Sequence, residues 1–470
     1  MGSRTLGVDA YQLTTLLVHA DEGRTDHRLS MAFFFRKMPK NRNYVVFAGL
    51  RNVLAHARDM RFDSRDVDAL LRHDFLGPAL RARPELLRKL RELDGFEGEI
   101  DAVPEGTLTY AGPATRTDGR PVDVSGAPLR IYVPLLRVRT DMVRAKLVET
   151  PWLGFVNHMS MVASKAARVV TAAAGKPVLE FGTRRTHPDA AVDASYAAYL
   201  AGVAGTSNLE AFARHGVPAA GTMDHFAIQA SERNDASPVE TERGFFAAFA
   251  RTFPGAATVL VDTYDTERGI RHAVEATGGT LTGVRIDSNV SVATMKRARE
   301  LLASLGASHV KIFASDGLDE TRVRELAPHV DGFGVGENIT CSPDAAVGVA
   351  AVAKLTVNGY GKLTMKLAEG SGKATLPGEL QCHRYPDHDL VALADESVPA
   401  GGRALLVPVW RGRDALPIPS LEASRAWVAE QIRDLPDSRK ELETVSDPRK
   451  LVASDGLVTL IERLKKEALA

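Results

Sequence analysis

The sequence has 470 residues, 44% of them hydrophobic and 25% charged, so a large core is available and extended disorder is excluded. Lys plus Arg equals Asp plus Glu at 59 each, which removes any global field for nucleic acid or an anionic membrane and leaves anion binding to local sites. The N-terminus lacks a basic segment leading into an apolar core, and no run of about eighteen uncharged apolar residues occurs, so neither secretion nor membrane spanning is expected.

In chain order, the residues before about 140, like those after about 352, read as short strands and irregular connections. Met142 to Gly175 reads as a long, largely buried helix. From about 177 to 336 one pattern repeats: a short apolar run, a cluster of Gly and polar residues, then a helix-like segment. The runs are Pro177 to Phe181, Val217 to Ala220, Ala257 to Val261, Gly283 to Ile286, His309 to Phe313 and Gly332 to Val335. Runs of this kind suit strands buried on both faces of a parallel sheet. The intervening segments suit crossover helices, as in Val292 to Leu305, whose apolar residues recur at helical spacing before a stop at Gly306. Ala353 to Lys366 alternates around Asn358-Gly359 and reads as a hairpin. These elements predict an irregular, incomplete TIM-like α/β barrel over 141–352. Residues 1–140 and 353–470 are expected to form a second, smaller, discontinuous α/β domain.

Each run is followed by polar residues: Gly182 to His187, Gly221 to His225, Asp262 to Asp265, Asp287 to Asn289, Ala314 to Gly317 and Gly336 to Asn338. In a β/α barrel the active site lies at the C-terminal strand ends, where the loops converge. Turn formation explains Gly, Asn, Asp and Ser at one or two of these ends. It explains less well Arg184, Arg185, His225 and three strand-terminal acids together. The two cysteines, Cys341 and Cys382, form no CxxC pair and fit a reducing cytoplasm. Cys382, His383 and His388 read as loop residues, since a structural zinc site normally takes four ligands, and no protein-held metal is expected.

Several segments together resemble the nicotinate phosphoribosyltransferases, of the type II phosphoribosyltransferase group. They include Asp9 to Thr14, Phe33 to Pro39, Phe47 to Leu50, Glu180 to Arg185, Gly221 to His225 and Val261 to Asp265. Val284 to Ser288, Phe333 to Gly336 and Met365 to Gly370 continue the match, which runs over roughly residues 8 to 385. The resemblance implies transfer of phosphoribose from phosphoribosyl pyrophosphate to nicotinate, with ATP hydrolysis coupled through a phosphohistidine and Mg2+ travelling with the substrate phosphates. It also implies a homodimer in which the N-terminal Tyr11 of one subunit enters the site of the other.

On that reading His225 is the phosphoryl acceptor, and Asp262 and Asp287 hold ribose hydroxyls or metal-bound water. Arg36, Lys37, Arg184 and Arg185 clamp phosphates, and Thr222 and Arg285 join the substrate-binding set. Tyr11 and Phe181 match the ring-stacking positions. Ser207 stands where nicotinamide-using relatives carry Asp, and so favours a carboxylate-bearing base. A capping role is the competing reading for Ser207. Ser315, Gly317, Gly334 and Gly336 are expected around phosphate. Asp224 either orients His225 or faces solvent.

Two departures stand out. The chain reads Asp287-Ser-Asn-Val290 where the family commonly has Asp-Ser-Gly-Asp, and Gly334-Val-Gly-Glu337 where it often has Gly-Val-Gly-Thr. Nicotinamide or quinolinate as the base, a Schiff-base aldolase using Lys311, and a non-catalytic relative are the alternatives.

Overall fold

The computed structural model describes residues 4–124, 127–341, 344, 351–367 and 373–470. The chain divides into two compact units, one comprising 1–161 with 347–470 and the other 162–346. The division falls inside a single 31-residue helix, Met142–Ala172, which includes Pro151.

The 162–346 unit is built on a six-stranded sheet in which every pairing is parallel. The spatial order is Gly205–Thr206, Val178–Glu180, Gly332–Val335, Lys311–Ser315, Leu281–Ile286 and Ala257–Leu260. Parallel strands need crossovers, and the chain supplies Pro188–Leu200, Pro238–Thr252, Thr266–Thr277, Val292–Ser304 and Glu320–Leu326 as helices. Several of these start on a capping side chain that accepts a backbone N–H in the first turn: Asp265 from Arg268, Ser291 from Thr294 and Asp319 from Arg322. Part of the polar clustering after the strands is therefore helix capping. Val217 to Ala220 is not a full strand: it makes one parallel bridge, Thr206 to Ala219, and the strand at this edge is Gly205–Thr206.

Within the same unit the C-terminal part of the long helix is tied to the helix Glu320–Leu326 by buried charges. Glu320 pairs with Lys165, and it accepts from Arg168 Nε at 2.9 Å. Burial disfavours the Glu320 carboxylate, but the Lys165 ammonium outweighs it and holds the group below its ordinary range.

The other unit contains a six-stranded antiparallel sheet in the order Ala351–Val357, Arg28–Phe35, Pro134–Asp141, Gly98–Ala102, Val407–Gly412, Asp414–Ala415. A four-stranded sheet accompanies it. This unit also holds helices that the reading of short strands and irregular connections overlooked, among them Ala10–Asp21, Leu50–Asp59, Leu421–Arg433 and Asp455–Leu469. Cys382 and His383 lie on the strand Leu380–Arg384, and His388 opens the paired strand His388–Leu393, so these are sheet residues and not loop residues.

The chain does reverse after Val357, but less tightly than a two-residue Asn-Gly turn. Asn358 N–H donates to Lys362 O at 2.9 Å, and the return arm keeps one bridge, Val357 to Leu363. The strand Ala351–Val357 takes Arg28–Phe35 as its partner instead. Of the Met365 to Gly370 segment, residues 368–370 lie outside the described residues. Among the described residues no helix is long and apolar enough to cross a membrane.

Candidate active site

Because all six strands run the same way, their C-terminal ends form one edge of the sheet. Phe181, Ser207, Asp262, Asp287, Asp316 and Gly336 each follow closely on one of these ends. Lys311 opens its strand and is exposed. It therefore stands at the opposite edge, about four residues or roughly 13 Å of extended chain from Ser315, which removes the aldolase reading.

His225 begins a five-residue helix, His225–Gln229. Asp224 caps that helix by accepting from Ala227 N–H at 2.9 Å, so its role is neither ring orientation nor simple solvation. The imidazole is oriented by Thr263, whose hydroxyl lies 3.1 Å from Nδ1, while Nε2 faces Asp262 Oδ1 at 3.9 Å. The other oxygen of Asp262 accepts the backbone N–H of Asp287 at 2.7 Å, and Asp287 accepts from the Ser315 hydroxyl at 2.6 Å. His225, Asp262, Asp287 and Ser315 thus belong to one chain of contacts across three neighbouring strands. Asp262 Oδ1 is buried and has no hydrogen-bond partner among the described residues.

Arg285 ties the histidine loop to the sheet. Its guanidinium donates to Met223 O at 2.9 Å and reaches the Thr222 hydroxyl at 3.4 Å. It also stands 5.9 Å from the centroid of the Phe181 ring, within cation–π range. Burial lowers the Arg285 pKa, and the nearby Asp287 and Asp262 carboxylates oppose that effect.

The Phe181 ring is fixed from below. A Cβ at Gly334 would stand 2.3 Å from ring atom Cε2 and 2.5 Å from Cδ2, so the ring occupies the space a side chain would need. Gly334 lies within the strand Gly332–Val335, and Gly336 leads into one helical turn, Glu337–Thr340. From below the same loop Glu180, fully buried, accepts from the hydroxyls of Ser195 at 2.8 Å and Thr206 at 2.6 Å, and from Gly182 N–H. Arg184 and Arg185 are exposed in the turn Thr183–Arg185. The Ser207 hydroxyl lies 3.3 Å from that of Thr183, and the cap of the following helix is Asn208, not Ser207.

The residues Asn289 and Glu337 acquire a physical account, whereas nothing in the structure explains the absence of a second carboxylate, where Val290 stands. Asn289 has φ +49°, a left-handed conformation that Gly adopts freely and Asn tolerates better than most residues. Glu337 points toward Arg185, with 3.8 Å between carboxylate and guanidinium.

The reading of the residues passed over Asp316, Thr263 and Glu180. Asp316 is a non-glycine residue at φ +111°, and strain of that kind collects at functional sites. Lost solvation raises its pKa, and the carboxylates of Asp287, Asp262 and Glu337 push in the same direction. Its position between Ser315 and Gly317 was the available signal. Tyr11, half-exposed on the helix Ala10–Asp21, and Arg36 and Lys37, just past the strand Arg28–Phe35, belong to the other unit. Among the described residues no group of three or more His, Cys, Asp or Glu side chains is disposed to hold a metal ion.

Comparison with known proteins gives a consistent picture. Residues 6–157 match the nicotinate phosphoribosyltransferase N-terminal domain, and residues 177–379 match the nicotinate phosphoribosyltransferase family. The chain is 34% identical to nicotinate phosphoribosyltransferase pncB2 of Mycobacterium tuberculosis, over 98% of this chain and 94% of that protein. The crystal structure of human nicotinic acid phosphoribosyltransferase superposes with a TM-score of 0.79 at 26% identity, covering 97% of this chain and 99% of that one. Nicotinate-nucleotide pyrophosphorylase from Pyrococcus furiosus shares the fold, with a TM-score of 0.69 at 24% identity over 92% and 96% of the two chains.

Proposed function

The chain belongs to the nicotinate phosphoribosyltransferase family, and we propose that it joins nicotinate to phosphoribosyl pyrophosphate, giving nicotinate mononucleotide and pyrophosphate for NAD biosynthesis. The observation that carries this reading is the contact chain His225, Asp262, Asp287 and Ser315 along the strand ends, beside Arg285 and the Phe181 ring. We read the parallel sheet as the incomplete barrel expected of such an enzyme.

In the transfer step the pyridine nitrogen of nicotinate forms a bond to ribose C1, while the C1–O bond to pyrophosphate breaks and its electron pair leaves with pyrophosphate. Positive charge develops on the ribose ring as the leaving group becomes more negative. Arg184 and Arg185 bind the phosphates, and Asp287 and Asp316 accept from ribose hydroxyls. The base stacks on Phe181 and on Tyr11 of a second subunit in a homodimer. Ser207 leaves room for the carboxylate that an Asp at that position would repel.

ATP phosphorylates His225: a bond forms between ring nitrogen and γ-phosphorus, the γ-phosphorus to oxygen bond breaks, and ADP leaves. Water later cleaves the phosphohistidine. Thr263 engages Nδ1, so Nε2 is the nitrogen available to the phosphoryl group. Mg2+ carried with the substrate phosphates would neutralise their charge. The unpaired Oδ1 of Asp262 and the carboxylate of Asp287 are acceptors that suit it, directly or through water.

The test is pyrophosphate release from phosphoribosyl pyrophosphate with nicotinate, nicotinamide or quinolinate, each with and without ATP. Turnover of nicotinate, raised by ATP, is expected. Turnover of nicotinamide alone would overturn the choice of base, and no turnover with any of the three would favour a non-catalytic relative.

A further inference from the structure

The 1–161 with 347–470 unit contains a cavity of about 250 Å3 that the reaction above does not use. It lies beside the last turn of the helix Ala10–Asp21, the first turns of Met142–Ala172 and the paired strands Arg28–Phe35 and Ala351–Val357. Its walls are largely apolar, with Leu29, Met31, Met142, Ala145 and Leu355 among them.

The nitrogen groups facing this apolar space are short of acceptors. His19 Nδ1 and Arg24 Nε are buried without a hydrogen-bond partner among the described residues. Arg24 Nη2 donates to Glu22 at 2.9 Å. Lys146 shares the wall, and burial lowers its pKa while Glu149, one turn along, opposes the shift. Burial likewise lowers the pKa of His19, with Lys146, Arg24 and His27 adding to the effect. Among the described residues one carboxylate, that of Glu149, lines the cavity, and it also faces Tyr11. Buried nitrogens without a hydrogen-bond partner are costly, and an apolar enclosure with a few convergent polar groups is the usual form of a small-molecule site.

We propose that this cavity is a second ligand site, for a small ring-bearing monocarboxylate. A carboxylate supplies the partners that His19 Nδ1 and Arg24 Nε lack, with Lys146 as a further cation on the same wall, and the apolar ring occupies the space between Met31, Met142 and Leu355. Glu149 limits the ligand to a single negative charge, because a second would meet its carboxylate. At the mouth, His27 and Tyr360 pack edge-on, with ring centroids 4.9 Å apart, and give a flat ring an aromatic neighbour.

The test uses the full-length protein with benzoate as probe and benzamide, of matching shape but uncharged, as control, binding being followed by calorimetry. One benzoate per chain at this site is expected, with benzamide at least about tenfold weaker. Lys146→Met should weaken benzoate at least about tenfold, and Phe181→Ala should leave that binding unchanged. Lys146→Gln and the cavity-filling Ala145→Phe, each checked for an unchanged Tm, guard against a folding defect in the first variant. The proposal is overturned if benzoate does not bind, in which case the donors are satisfied by solvent. It is also overturned if benzamide binds equally well, or if binding survives Lys146→Met and Ala145→Phe and is lost in Phe181→Ala.

Discussion

Asp262 stands between His225 and Asp287, with one carboxylate oxygen 3.9 Å from the imidazole Nε2 and the other accepting the Asp287 backbone N–H at 2.7 Å. One buried carboxylate thus connects the proposed phosphoryl acceptor to the strand expected to bind ribose. Asp262→Asn should separate the two contacts, since its amide oxygen can still accept from Asp287 while its NH2 replaces negative charge opposite Nε2. The Tm should change little, and ATP-stimulated kcat should fall by about 10- to 100-fold, the scale set by loss of placement and charge at a reacting group. Steady-state kinetics with and without ATP, beside a melting curve, check this.

Gly334→Ala tests the seat of the Phe181 ring. The new methyl would overlap the ring, whose Cε2 lies 2.3 Å from an ideal Cβ, so the ring must move or the strand must shift. Overpacking of this kind costs about 1–3 kcal/mol. A lower Tm is expected, together with a KM for nicotinate that rises more than the KM for phosphoribosyl pyrophosphate.

Ser207→Asp tests base selection. The new carboxylate would stand beside the Thr183 hydroxyl, now 3.3 Å from Ser207 Oγ, and would repel an acid while accepting from an amide. The ratio of kcat/KM for nicotinate over nicotinamide should drop at least about tenfold, or roughly 1.4 kcal/mol. Parallel assays on the two bases read this directly.

Glu320→Gln removes the buried carboxylate that Lys165 and Arg168 share, while Lys165 keeps its contact with Asp344 at 3.0 Å, and breaking a buried pair of this kind costs up to about 3–5 kcal/mol. Burial works against ionisation of Glu320, but the Lys165 ammonium prevails and the folded-state pKa is depressed. A depressed acid contributes stability that is present above its ordinary value of 4.5 and is lost as pH falls below 4.5 through the folded value. The Tm gap between wild type and variant should therefore be widest at neutral pH and close below pH 4.5. Melting curves across that range measure it.

Elements with strong local signals were legible in the sequence. The spacing of Val292 to Leu305 matches the helix Val292–Ser304, and Gly332 to Val335 is a strand with those bounds. Elements decided by pairing were less so. Val217 to Ala220 is as apolar as a buried strand, yet the sheet takes Gly205–Thr206 there. The Asn358-Gly359 signal points to a hairpin, but the strand before it pairs with Arg28–Phe35, some 320 residues away in sequence, which no local pattern encodes. In the site, His225, Asp262 and Asp287 stood out because charged groups at successive strand ends are chemically conspicuous. Thr263, through one hydrogen bond, and Glu180, through three, act by contacts visible only in three dimensions. Of the departures from the family pattern, the conformation of Asn289 and the Arg185 contact of Glu337 fit those two residues, and the change to Val290 has no structural explanation.

The most direct measurement of the central claim follows radiolabelled γ-phosphate from ATP together with nicotinate mononucleotide formation, in wild type and His225→Ala. The account predicts an acid-labile, base-stable label on wild-type protein, faster product formation with ATP, and neither effect in His225→Ala at an unchanged Tm. An unlabelled wild-type protein, or ATP stimulation that persists in His225→Ala, would contradict it.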